Sequence, residues 1–217
     1  MFDKQAEVPQ IMFRNIEWLF LDVGSTLINE EKVYKHIFYD IADATGESYE
    51  KIYDMAIRFY KENKKGDLEL AKMYGIPALN RYLEEEELYS DAMECLEILR
   101  EKYKIGVIAN QSFGTASRLE QHGILKYVDL VVASAEEGVS KPNPKIFQIA
   151  LERSGCKPEN AVMIGDRIDN DIVPAKRIGM HTVWIKQGFG GLWRITEEEM
   201  PEKEVNHLSE LKKLFLC

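Results

Sequence analysis

Residues 16–27 read IEWLFLDVGSTL. A short apolar run ends on a carboxylate, Asp22, and passes at once into Gly24, Ser25 and Thr26. The simplest reading is a buried strand closed by a turn, because Asp, Gly and Ser are common turn formers. Similar runs recur as KIGVIAN (104–110), VDLVVAS (128–134) and NAVMIGD (160–166), and HTVWI (181–185) makes a fifth. Between the later runs lie TASRLEQHG, PKIFQIALERSG and DIVPAKRIG, with Gly123, Gly155 and Gly179 where helix-ending residues belong. Short apolar strands alternating with amphipathic helices predict an α/β fold, a parallel sheet with helices on both faces.

The interval from 30 to 90 breaks this rhythm and shows only helical patterning. VYKHIFYDIADATG spaces Val33, Ile37, Ile41 and Ala44 along one helical face, and YEKIYDMAIRFYKEN does the same with Ile52, Met55 and Phe59. LEEEEL reads as a solvated helix face. So much helix is too long for a simple crossover and predicts a small all-helical subdomain over the sheet, followed by a return helix in DAMECLEILREKY. The expected division is an N-terminal extension at 1–15, a core of 16–29 with 91–217, and a helical insertion at 30–90.

Composition narrows the functional classes. The 217 residues are 45% hydrophobic and 30% charged, as in a soluble globular protein. A formal net charge of -9 argues against a nucleic-acid or anionic-membrane surface. Cys95, Cys156 and Cys217 have no metal-ligand spacing and cannot all pair, so reduced thiols in the cytoplasm are expected. MFDKQAEVPQ lacks the apolar core of a signal peptide, and no run reaches bilayer length. Nothing in the sequence fixes an oligomeric state.

In a parallel sheet, ligands bind at the carboxyl ends of the strands. Those ends carry Asp22, Asn110, Ser134 and Asp166, and Asp171 follows shortly after. Converging carboxylates repel unless a cation sits among them, and an all-oxygen set with a few acidic ligands suits Mg²⁺. Lys141, in VSKPNPKIF, precedes a Pro-Asn-Pro run that restricts the backbone. A carboxylate nucleophile beside Mg²⁺ and a lysine is a workable site for phosphoryl transfer.

Together LDVGSTL, VIAN, SKPNPKIF and IGDRIDNDI resemble, in order, the four motifs of the haloacid dehalogenase-like (HAD) superfamily. The resemblance spans about 16–186 and implies a Rossmann-like core with a helical cap inserted after the first strand. It implies that Asp22 is a nucleophile forming an aspartyl-phosphate. Asp22, the Gly24 carbonyl, Asp166 and Asp171 would bind Mg²⁺. Lys141 would neutralise nucleophile and phosphoryl group, and Asn110 would sit beside the phosphate of a small phosphorylated substrate.

Two positions depart from the pattern. Gly24 stands where the family's phosphatases keep a second Asp, which protonates the leaving oxygen and then activates water; such help is worth about 10²- to 10⁴-fold. Ala109 replaces a hydroxyl residue that donates to the phosphoryl group, a loss of about 0.5–1.5 kcal/mol, for which Ser112 is a candidate substitute. Glu30 and Glu31 are candidate replacement acids, although a solvated role at the start of a helix suits them better. A Gly24→Asp change is expected to raise turnover of alkyl phosphates if the missing acid is the main defect. Three other readings stay open: a dehalogenase-like enzyme, although that branch carries Tyr at position 24; a phosphonatase-like enzyme, which needs a cap lysine from among Lys32, Lys35, Lys51, Lys61, Lys64 and Lys65; and a non-catalytic protein binding Mg²⁺ and a phospholigand. GFGGLW (188–193) lacks an adjoining Lys-Ser or Lys-Thr and reads as a loop.

Overall fold

The computed structural model describes residues 13–216. Residues 1–12 of the expected extension, and Cys217, lie outside them. The chain runs through β1 (Trp18–Leu21) and β2 (Ile28–Asn29) into three helices, α1 (Glu31–Thr45), α2 (Tyr49–Lys61) and α3 (Gly66–Tyr74). It returns through β3 (Glu87–Leu88) and α4 (Ala92–Leu99). Then follow β4 (Lys104–Ala109), α5 (Thr115–Gln121), β5 (Leu130–Ala133), α6 (Ser134–Glu137) and α7 (Pro144–Ser154). The last part holds β6 (Ala161–Gly165), α8 (Val173–Arg177), β7 (His181–Ile185), β8 (Lys203–Val205) and α9 (Leu211–Phe215).

Among the described residues, six strands form one sheet in the order β5-β4-β1-β6-β7-β8, each neighbouring pair parallel. Side chains alternate across a strand. Leu19 and Leu21 therefore join one core cluster, with Leu96 and Leu99 of α4 and Leu211 of α9, while Phe20 joins another with Phe147 of α7 and Ala175 of α8. Burial on both sides explains why the strands read as unbroken apolar runs. β8 escaped the sequence reading because KEV is short and charged; it lies at the sheet edge, where Val205 is its buried residue.

The segment between β1 and α4 has its own apolar cluster, in which Ile37, Phe38 and Ile41 meet Ile52, Ala56 and Tyr60. The buried stripe differs in detail from the expected one: Ala42 rather than Ala44 is buried, and Ala56 and Tyr60 are deeper than Met55 and Phe59. Both sets satisfy helical spacing, and packing between helices selects one. The interval also contains a strand, since β3 pairs antiparallel with β2 (Ile28 opposite Leu88). Two residues are too few to leave a period-2 signal. Phe13 stacks on Phe215 at 5.3 Å, so the residues just before β1 join the core.

Candidate active site

β1 lies between β4 and β6, and the crevice at their carboxyl ends gathers most of the strand-end candidates. Asp22 leaves β1 with its N–H donating to the Ile164 carbonyl at 2.9 Å, so the β1–β6 ladder sets its position. Asp166 leaves β6, and Asp171 comes round on a wide π-helical turn, Ile168–Ile172. One carboxylate oxygen from each of the three lies within 4.8 Å of the others, and Asp166 and Asp171 are buried. Gly165 makes this approach possible, since a Cβ there would lie 2.4 Å from Asp171 Oδ2.

Lys141 is buried, with Nζ 2.8 Å from Asp22 Oδ1 and 2.6 Å from Asp171 Oδ1. Asn110, just past β4, clasps its backbone: Lys141 N–H donates to Asn110 Oδ1 at 2.7 Å, and Asn110 Nδ2 donates to the Lys141 carbonyl at 2.8 Å. The Asp171 Oδ2 atom accepts from the Arg167 N–H at 2.9 Å.

The Lys141 ammonium thus pairs with two of the three clustered carboxylates, Asp22 and Asp171. Burial, with Asp171 and Asp22 nearby, pushes the Asp166 carboxyl well above its usual range. Burial also raises Asp171, to about 6, against the opposing pull of Lys141. For Lys141, burial disfavours the ammonium, but Asp171 and Asp22 outweigh it and raise the pKa. A buried oxygen set with excess negative charge fits a hard divalent cation such as Mg²⁺.

The floor just described opens into a cavity of about 440 Å³. Its roof comes from α1–α3, the segment 78–86 and the loop after β7. That GFGGLW loop is more than a connector. Phe189 stacks on Tyr60 at 4.5 Å and meets Tyr34 edge-on at 5.0 Å. Gly190 rests on Asp166, where a Cβ would lie 2.4 Å from the Asp166 carbonyl oxygen. Alternation and motif spacing give no signal for such a loop; its one sequence mark is the paired glycines next to an aromatic.

Glu86 corrects the solvated reading of LEEEEL. It is buried in the cavity wall, 3.2 Å from Arg118 Nε and 3.8 Å from His122 Nε2. Burial raises its carboxyl above the usual range, with Arg118 and His122 opposing. Arg118 also donates to Gln111 Oε1 at 2.6 Å, which ties the roof to the loop after β4.

Glu30 and Glu31 part company. Glu31 is exposed and does not line the cavity, whereas Glu30 is half-buried in its wall beside Gly24. Ser25 Oγ donates to Glu30 Oε2 at 2.8 Å. Burial pushes the Glu30 carboxyl up to about 7; the Ser25 bond opposes this, and Glu86 and Asp22 add to it. A Cβ at position 24 would lie 2.8 Å from Glu30 Oε2 and 3.0 Å from its Cδ. The space that Gly24 leaves is therefore filled, and Gly24→Asp no longer reads as a simple gain.

Ser112 is exposed and away from the cavity wall, so it does not replace the hydroxyl missing at Ala109. The Ser134 hydroxyl accepts from the Gln111 N–H at 3.0 Å and bonds its carbonyl at 3.1 Å, bracing that loop outside the cavity. No helix among the described residues is long and apolar enough to cross a membrane.

The profile of the haloacid dehalogenase-like hydrolases matches residues 16–179. The chain is 32% identical over 206 residues to a glyceraldehyde 3-phosphate phosphatase of Methanopyrus kandleri, covering 91% of this chain and 85% of that protein. Against the protein of the same name in Pyrococcus furiosus it is 41% identical over 124 residues, 55% of this chain, and spans 50% of the relative. Among solved structures, a HAD phosphatase from Thermococcus onnurineus superposes with a TM-score of 0.64 at 26% identity, covering 92% of this chain and 97% of that one.

Proposed function

The chain belongs to the haloacid dehalogenase-like hydrolases, and on that premise we propose that it is a Mg²⁺-dependent phosphatase that works through an aspartyl-phosphate on Asp22. The observation that carries this reading is the buried Lys141 ammonium held between Asp22 and Asp171 at 2.8 and 2.6 Å. An ammonium there pairs with the nucleophile and offsets the charge of an incoming phosphoryl group. Asp22 attacks phosphorus, and Asn110 fixes the lysine through its backbone clasp while facing the same cavity. Asp22, Asp166 and Asp171 would hold Mg²⁺, which when bound neutralises phosphoryl oxygens and aligns them for in-line attack.

We assign residues 30–90 to a cap that closes over the substrate and sets specificity, with 16–29 and 91–217 as the catalytic core. A cavity of about 440 Å³ favours a small phosphorylated metabolite, and the names of the relatives point to a triose phosphate as the first compound to try. Cys95 and Cys156, buried and without a disulfide among the described residues, agree with a reducing cytoplasmic setting.

The test is turnover of p-nitrophenyl phosphate, acetyl phosphate and glyceraldehyde 3-phosphate, with Mg²⁺ or EDTA, by wild type and Asp22→Asn. Metal-dependent phosphate release that falls to background in Asp22→Asn is expected. Release that survives that substitution would refute the nucleophile assignment. One observation favours a second reading: Lys65 is the lysine of the 30–90 segment that lines the cavity. A phosphonatase would form a Schiff base there with an aldehyde-bearing phosphonate. Borohydride inactivation in the presence of such a compound, abolished by Lys65→Arg, would decide for it.

A further inference from the structure

We propose that Glu30 is the general acid and base of this site, supplying from the start of α1 the carboxyl that position 24 lacks. The inference rests on the phosphatase reading and deepens it. After Asp22 the chain folds back on itself, with the N–H groups of Leu27 and Ile28 both donating to the Val23 carbonyl at 2.9 Å. That turn delivers Glu30 over Gly24. An aspartate at position 24 would carry its carboxyl carbon about 1.5 Å beyond Cβ. The Glu30 carboxyl already lies around that place, its Cδ and Oε1 each 3.0 Å from where the Cβ would be.

Three further observations single it out. The Ser25 hydroxyl holds Oε2 at 2.8 Å, making Ser25 a positioning residue. Glu30 shares the cavity with Asp22 and Lys141. The other carboxyls of the roof are engaged elsewhere: Asp67 accepts from the Tyr60 hydroxyl at 2.9 Å, and Glu86 faces Arg118. Glycine at position 24 is then a complement to Glu30, since a side chain there would compete for the same volume.

The chemistry balances over two steps. An Asp22 oxygen forms a bond to phosphorus as the bond to the leaving oxygen breaks, and the electron pair stays on that oxygen. Protonated Glu30 gives its proton to it, releasing the alcohol and leaving a carboxylate. In the second step the carboxylate takes a proton from water as the water oxygen bonds to phosphorus. The Asp22–phosphorus bond breaks, inorganic phosphate leaves, and Glu30 is protonated again.

Glu30→Gln preserves volume and an acceptor for Ser25 but removes the ionisable proton. Steady turnover of alkyl phosphates should drop by about 10²- to 10⁴-fold. With p-nitrophenyl phosphate, whose leaving group needs no proton, the variant should give a burst of nitrophenolate of up to one equivalent and then stall as the aspartyl-phosphate. Unchanged alkyl turnover, or equal losses on aryl and alkyl substrates without a burst, would overturn the proposal. The pair Glu30→Ser and Gly24→Asp/Glu30→Ser gives a second reading independent of how Glu30→Gln folds. Restoring a carboxyl from position 24 should regain at least about tenfold over Glu30→Ser alone, and no regain counts against the assignment. Wild type without Asp22-dependent turnover would remove the phosphatase reading and this one together. Asp22-dependent turnover with an indifferent Glu30→Gln would remove only this one.

Discussion

The floor and the roof of the cavity both hold carboxylates, and they hold them by different means. Asp22 and Asp166 stand one residue beyond β1 and β6, which are hydrogen-bonded neighbours (Leu21 opposite Ile164). Their separation follows from ladder register. Glu30, Asp67 and Glu86 come from segments with no shared lattice. They are placed by individual side-chain contacts: Glu30 by Ser25 across a local turn, Asp67 by Tyr60, and Glu86 by Arg118 and His122 from the core. A floor built on a ladder is stiff and carries the charge; a roof built on side-chain contacts can shift and so suits substrate selection.

The comparison is broken most severely by Lys141→Met. It leaves Asp22 and Asp171 without their shared cation, so turnover should vanish. Removing one partner from a buried ionic group typically costs about 3–5 kcal/mol, and urea unfolding without Mg²⁺ should show a loss of that order. An unchanged midpoint would mean that the floor is not under this electrostatic load. Next comes Gly190→Ala, where floor and roof touch. The new Cβ would meet Asp166 main-chain atoms, 2.4 Å from the carbonyl oxygen, and such overpacking costs about 1–3 kcal/mol. The expected result is lower kcat together with a lower Tm; a normal kcat would show that the loop gives way without moving Asp166.

Phe189→Ala should act on the roof alone. Aromatic pairs contribute about 0.5–1.5 kcal/mol beyond burial, so KM should rise several-fold with kcat nearly kept. A fall in kcat with unchanged KM would place Phe189 with the floor. The smallest effect is expected for Asn63→Ala. It removes two exposed bonds between α2's end and the loop, Arg194 N–H to Asn63 Oδ1 at 2.8 Å and Asn63 Nδ2 to the Arg194 carbonyl at 2.7 Å. Faster amide exchange in residues 60–66 with an unchanged Tm is the anticipated outcome, and a global loss of stability would show that the two parts unfold as one.

Much of the floor was legible beforehand because strand-end residues declare themselves. An apolar run closed by Asp22, Asn110 or Asp166 marks both the strand and the side of the sheet where its last residue emerges. The structure brings Lys141 and Asp171 to the same point. The roof was less legible. Glu86 sat in a run of glutamates that differ in burial and not in composition, and only α5 approaching from the core makes one of them a wall residue. Phe189 looked like part of a glycine-rich connector. Glu30 and Glu31 were equivalent in sequence, and the turn after Asp22 separates them.

By itself, the sequence determined the parallel α/β architecture, the position of the helical insertion and the set of charged residues at the strand ends. These are consequences of local periodicity and chain order. Tertiary structure alone decided which acidic residue fills the space above Gly24, which roof groups are neutralised, and which loop closes on Asp166. The physical reason is that such choices depend on how a turn folds the chain back and on what packs against a residue from elsewhere, where neither period nor propensity carries information.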